Sequence, residues 1–170
     1  MSSIQEGGAE EVTHVFMAII TIAYLIVATV MDIREKKIYT FPCTILTVLW
    51  GMFILSADAK VEVVYVMWII NFVIYIAFNA FRIWGAGDSD LLLMCVDIMI
   101  YAFSPQNVVT GIFVQCVCLA IALSVSIIVG TVELKVRGKK ISFKDKVAVA
   151  PGLSVVTTAL IIIGVARRIM

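Results

Sequence analysis

Histidine is nearly missing from this sequence, cysteine is never paired, and charge is scarce at 15%. His14 is the single histidine. It reads as a helix-start residue near the outer interface, which excludes a multi-histidine metal site and an imidazole-assisted mechanism. Cys43, Cys95, Cys116 and Cys118 lie inside apolar runs and form no Cys-x-x-Cys pair, so neither a zinc site nor a redox pair is expected. They read as small buried apolar residues. No GxxxxGK[ST] loop is present to cradle a nucleotide. No metal and no cofactor are expected. A net charge of only +1 leaves no basic field, and no basic and aromatic stretch points to nucleic acid. The first thirteen residues carry Glu6, Glu10 and Glu11 and no Lys or Arg, unlike the basic start of a secretory signal peptide, so the first apolar run is expected to be retained. Internal repeats are not visible, which leaves repeat-built transport unsupported.

What is there is apolar. The 170 residues are 62% hydrophobic, far above the roughly 45–50% of soluble domains, and mean hydropathy is +1.09. A helix needs about 20 mostly apolar residues to cross the hydrocarbon core, so a chain of this length holds about six crossings. Apolar stretches recur at 14–31, 41–56, 61–84, 91–103, 108–132 and 147–165. The expected fold is all-α, a polytopic membrane protein of about six transmembrane helices forming one membrane domain over 1–170, with the lipid bilayer as its immediate partner. Trp50, Trp68 and Trp84, with Tyr24 and Tyr65, read as packing or interfacial anchors.

Lys and Arg stay on the cytoplasmic side of short loops. With the N-terminus outside, the inner loops hold Arg34, Lys36, Lys37, Arg82, Lys135, Arg137, Lys139, Lys140, Lys144 and Lys146, and the outer face holds Lys60, Arg167 and Arg168. Ten against three favours an N-out/C-out topology. The polar segment 133–146, with Gly138 interrupting its basic run, reads as a positive-inside anchor that also attracts anionic lipid.

Under this topology Asp32 leaves the first helix on the inside, followed by Arg34, Glu35 and Ile38, and Gly85-Ala86-Gly87-Asp88 leads into the fourth helix from the same side. Hydrolysing a peptide bond with carboxylates requires one to take a proton from water while the other, protonated, polarises the carbonyl oxygen. Asp32 and Asp88 have the right chemistry if they pack together. Gly85 and Gly87 allow backbone torsions closed to other residues and let a substrate backbone approach. Each acid also has a plainer reading. Asp88 alone suits a helix N-cap, and Asp32 alone suits an interfacial residue paired with Arg34 or Lys36. Asp97 lies nine residues beyond Asp88, about 13 Å along the helix. At about 100° per residue it falls on the face opposite Asp88, near Asp90. It reads as a protonated acid hydrogen-bonded to a neighbouring helix, through Asn71 or Asn79, and not as a catalytic group.

The D-x-R at the end of the first helix together with GAGD at 85–88 resembles the type IV prepilin peptidase family, within the wider GxGD class of intramembrane aspartyl proteases. The resemblance spans nearly the whole chain, and Ala150-Pro151-Gly152-Leu153 leading into the last helix adds a weaker feature. It implies a six-helix membrane aspartic endopeptidase of a bacterial inner membrane or archaeal cytoplasmic membrane, with Asp32 and Asp88 as the catalytic pair. The substrate it implies is a prepilin-like membrane protein with a short basic cytoplasmic leader. Glu35 and Asp90 are the candidate leader contacts, with Gly85 and Gly87 in support. The chain departs from the family pattern at Ile38-Tyr39-Thr40, where Ile-Pro-Asn is common, and at Asp90, where a Lys is common. The short loop after the first helix lacks the insert of the long members, so it looks like the minimal form, similar to those serving tight-adherence pili or archaeal surface filaments, without methyltransferase activity. A homo-oligomer is compatible with the sequence. Two readings from other classes stay open: a small proton-coupled transporter or channel subunit relaying protons through Asp32, Asp88 and Asp97, and an inactive pilus-assembly scaffold.

Overall fold

The computed structural model describes residues 3–55, 60–81, 84–136 and 148–169. Among these the chain forms six α-helices and no strand: α1 (Ser3–Glu35), α2 (Thr40–Leu55), α3 (Val61–Ala80), α4 (Ala86–Phe103), α5 (Val108–Val136) and α6 (Ala150–Ile169). Each expected apolar stretch is a helix. The ends differ for local reasons. The acidic leader joins α1, so His14 lies inside that helix and not at its start; its Nδ1 meets the Tyr101 hydroxyl of α4 at 3.2 Å. Arg82, Arg137, Lys139, Lys140, Lys144, Lys146 and Gly138, which bear on the expected orientation, lie outside the described residues.

Four helices are long and apolar enough to cross a membrane: Val12–Glu35 of α1, then α3, α5 and α6. At 16 residues α2 is apolar but shorter. The remaining helix, α4, carries Asp88, Asp90 and Asp97, and 14 of its 18 residues are buried. It packs against α2, α3, α5 and α6, and α6 in turn packs against α1 and α5. A helix with three acids is costly against lipid, so a stable bundle wraps it in protein.

Lipid gives no hydrophobic drive between helices, so small residues and interhelical hydrogen bonds hold them together. Asn71 of α3 and Gln115 of α5 exchange amide hydrogen bonds at 3.1 and 2.6 Å. The buried Trp50 indole of α2 donates to Thr21 of α1 at 3.0 Å. Thr29 of α1 donates to Ser154 of α6 at 2.8 Å. Trp50 therefore serves packing, Trp68 packs half-buried against the core, and Trp84 packs edge-on against Phe78. Cys43 and Cys95 are buried as expected, whereas Cys118 is half-buried and Cys116 is exposed on α5.

Two helices end on residues in the left-handed region. Lys36 (φ 53) closes α1 with its N–H on the Asp32 carbonyl at 3.1 Å, and Ser104 (φ 44) closes α4 with its N–H on Ile100 at 2.8 Å. Pro105 follows Ser104 and cannot continue a helix. The Asn107 side chain then caps α5 by accepting the Thr110 N–H at 2.8 Å.

Candidate active site

Asp32 lies in the last turn of α1 and is buried, 6% exposed. Its Oδ2 accepts the Ala150 N–H, at the start of α6, at 3.0 Å, and the Val149 N–H also faces the carboxyl. The reason is local to α6. The first N–H groups of a helix have no partner within it, and here they are buried and need one. Ala150 donates to Asp32, and Pro151 has no N–H to satisfy. Gly152 donates to Ser126 Oγ of α5 at 3.1 Å, and Leu153 donates back to the Val149 carbonyl at 3.3 Å. Ser126 Oγ itself donates to the Val149 carbonyl at 2.9 Å, which fixes the chain where it turns into α6. At Gly152 a Cβ would fall 1.8 Å from the Ala122 carbonyl oxygen, so α5 and α6 touch backbone to backbone there. Asp32 is thus a cap for α6 supplied by α1. The salt bridge of Lys36 goes to Glu133 of α5, at 3.0 Å, although the Lys36 charge also acts on Asp32, and Arg34 is exposed.

Asp88 is not the N-cap of α4. Gly85 holds that position, and the Asp88 carboxyl in the first turn reaches back toward the Gly85 N–H. Asp88 Oδ1 is buried and accepts no hydrogen bond from any described residue. A buried carboxylate oxygen without a donor is rare enough to need a reason. The charge of Asp32, from another helix, acts on Asp88. Two carboxyls distant in sequence are therefore near enough for the charge of one to act on the other, one held by a backbone donor and the other with an oxygen left free.

The connection from α1 to α2 closes over the start of α4. A Cβ on Gly87 would sit 2.6 Å from Ile38 Cβ and 3.2 Å from the Ile38 carbonyl oxygen. The Tyr24 hydroxyl donates to the Tyr39 carbonyl at 3.0 Å and fixes the next residue of the loop. The expectation that the two glycines adopt torsions barred to other residues is not met. Gly85 has φ −69 and ψ 157, an ordinary extended conformation, and Gly87 lies within the helix. Gly87 admits the chain's own Ile38 where a substrate backbone was expected.

Asp90 is buried at 8% exposed and faces the Tyr75 hydroxyl of α3, with Tyr24 and Cys43 nearby. It is turned into the bundle, toward α3. Glu35 is exposed as the last residue of α1, one turn beyond the carboxyl of Asp32. Asp97 is buried and accepts the Trp68 indole N–H at 2.8 Å. Neither expected partner binds it: Asn71 is paired with Gln115, and Asn79 donates to the Tyr75 carbonyl. Its face of α4 turns to α2 and α3, opposite Asp88.

Among the described residues no three His, Cys, Asp or Glu side chains gather in a way that would hold a metal ion. Ala150 as the holder of Asp32 was signalled in the sequence only by the Ala-Pro-Gly run, and Ser126, which takes the Gly152 N–H, by nothing. Comparison with protein-family models, with curated proteins and with solved structures gave no match, so the chemistry of this site rests on its own side chains.

Proposed function

We propose that this chain is a membrane aspartic endopeptidase of the prepilin-peptidase type, with Asp32 and Asp88 as its catalytic pair. In this reading it lies N-out/C-out in a bacterial inner membrane or archaeal cytoplasmic membrane and removes the short basic leader of a pilin-like membrane protein. The observation that carries it is that the charge of Asp32 on α1 acts on Asp88 on α4, whose Oδ1 is buried and without a donor among the described residues. The D-x-R and GAGD residues supply the link to prepilin substrates.

The chemistry divides between the two carboxyls. Asp32, whose Oδ2 takes the Ala150 N–H, is the ionised partner and accepts a proton from the attacking water. Asp88 is protonated and donates to the scissile carbonyl oxygen through its unpaired side. The water oxygen bonds to the carbonyl carbon and gives a neutral diol. The proton on Asp32 then passes to the leaving nitrogen as the C–N bond breaks, the diol returns a proton to Asp88, and a carboxylic acid and an amine depart. A substrate whose helix crosses the same bilayer delivers its leader junction to the interface, and this placement supplies much of the orientation that catalysis needs.

The test is cleavage of a prepilin-like substrate by the purified protein in liposomes. Asp32→Asn and Asp88→Asn are each expected to lose activity by about 10²-fold or more. Cleavage retained in either variant rejects the pair. Activity is expected to fall on both the acid and the alkaline side, because one carboxyl must be ionised while the other is protonated.

A further inference from the structure

Two acids that share a site need something that makes them unlike, or neither is committed to act as the base. Part of the difference lies in their donors: Asp32 takes the Ala150 N–H, whereas Asp88 Oδ1 has none among the described residues. A cation adds to it. Lys36 follows Asp32 by four residues, the spacing at which side chains neighbour one another along a helix, with β-carbons about 5–6 Å apart. Its N–H closes α1 on the Asp32 carbonyl at 3.1 Å, and its φ of 53 ends the helix there.

The Lys36 side chain is anchored. Its Nζ lies 3.0 and 3.4 Å from the two carboxylate oxygens of Glu133, whose own side chain is 14% exposed. Glu133 stands seven residues beyond Ser126 on α5, so the two lie within about 20° of each other on one helix face, about 10 Å apart. Ser126 fixes the turn that aims the Ala150 N–H at Asp32, and Glu133 fixes the ammonium of Lys36. One face of α5 thus tethers both groups that favour a charge on Asp32. Among the described residues, the charged groups that act on Asp32 are Lys36 from its own helix and Glu133 from α5, and Asp88 faces it from α4. From α6 it meets the N–H groups of Val149 and Ala150. Of the two charges in the ion pair, that of Lys36 acts on Asp32 the more strongly. With Lys36 35% exposed, the ion pair by itself contributes little to stability, and its consequence lies in where it holds the cation.

We infer that Lys36, anchored by Glu133, is a positioning residue that commits Asp32, and not Asp88, to the role of base. The inference rests on the peptidase reading.

The experiment follows cleavage of a prepilin-like substrate against pH by the full chain in liposomes. In parallel, and without substrate, the infrared band of a protonated carboxyl that is missing from Asp32→Asn is titrated. Cleavage is lost on the acid side when the base takes up a proton, so a cation beside it holds that limb at lower pH. Lys36→Gln is expected to move both the acid limb and the Asp32 band to a pH higher by about 0.5 or more, the lower figure being the effect of a unit charge about 6 Å away in water. Lys36→Arg is expected to leave both near the wild type, and so is Lys37→Gln, which removes an exposed cation from the next position. Lys36→Glu combined with Glu133→Lys keeps an ion pair and exchanges its charges. It is expected to retain the melting temperature while limb and band stay displaced to higher pH. A limb and band unmoved in Lys36→Gln, restored by the exchange, or displaced as far by Lys37→Gln overturn the inference and leave the peptidase reading standing. Cleavage retained in Asp32→Asn rejects the reading, and the inference with it.

Discussion

At the scale of single residues, the glycines before Asp88 differ in what they do. A methyl group on Gly87 collides with Ile38, whereas one on Gly85 meets only Asp88 Oδ2, at an ordinary 3.4 Å. Gly87→Ala is therefore expected to cost about 1–3 kcal/mol of stability through overpacking, read as a lowered melting temperature in detergent. Gly85→Ala is expected to leave that temperature nearly unchanged. Combining Gly87→Ala with Ile38→Ala makes room for the methyl group and should recover part of the loss; no recovery would show that Ile38 is not what Gly87 accommodates. Asp90 gives the opposite kind of expectation. Since Asp90 is turned to Tyr75 of α3, about 200° around α4 from Asp88, Asp90→Asn is expected under the peptidase reading to leave the pH profile of cleavage in place, and a displaced profile would bring Asp90 into the electrostatics of the site.

At the scale of elements, the start of α6 decides how Asp32 is held. Ser126→Ala leaves the buried Gly152 N–H without its acceptor and removes the donor to the Val149 carbonyl, an expected cost of about 1–3 kcal/mol in stability. Under the peptidase reading cleavage is expected to fall as well, because the Ala150 N–H is aimed by the same turn. A variant with full activity and lowered stability would confine Ser126 to packing. This is also where sequence and structure part. The helices could be read from their apolar runs because each signal lies within one segment. Asp32 and Asp88 stood out as a pair because a motif joins them. The Ala150 and Ser126 contacts, and the Trp68 indole on Asp97, join segments that share no periodicity, so only the fold brings them into view. Asn71 was a reasonable partner for Asp97 by type and depth, but its amide is satisfied by Gln115.

At the scale of the whole molecule, the proposed orientation puts Lys37 and Lys60 on opposite sides of the membrane. With exposed Cys116 first replaced, Lys37→Cys is expected to react with a membrane-impermeant maleimide only from the cytoplasmic side, and Lys60→Cys only from the outer side. The reverse pattern would invert the topology and move the acid pair to the outer face. The wrapping of α4 also bears on how the protein is made. Ribosomes deliver α1 and α4 before α6. Until α6 arrives, α4 lacks one of its walls and Asp32 lacks the N–H that holds it. A nascent chain thus contains both acids well before it contains the site, and a chain stopped after Val136 is expected to be inert and rapidly degraded. Under the peptidase reading, activity then marks completed membrane insertion, which protects neighbouring membrane proteins from a half-built protease.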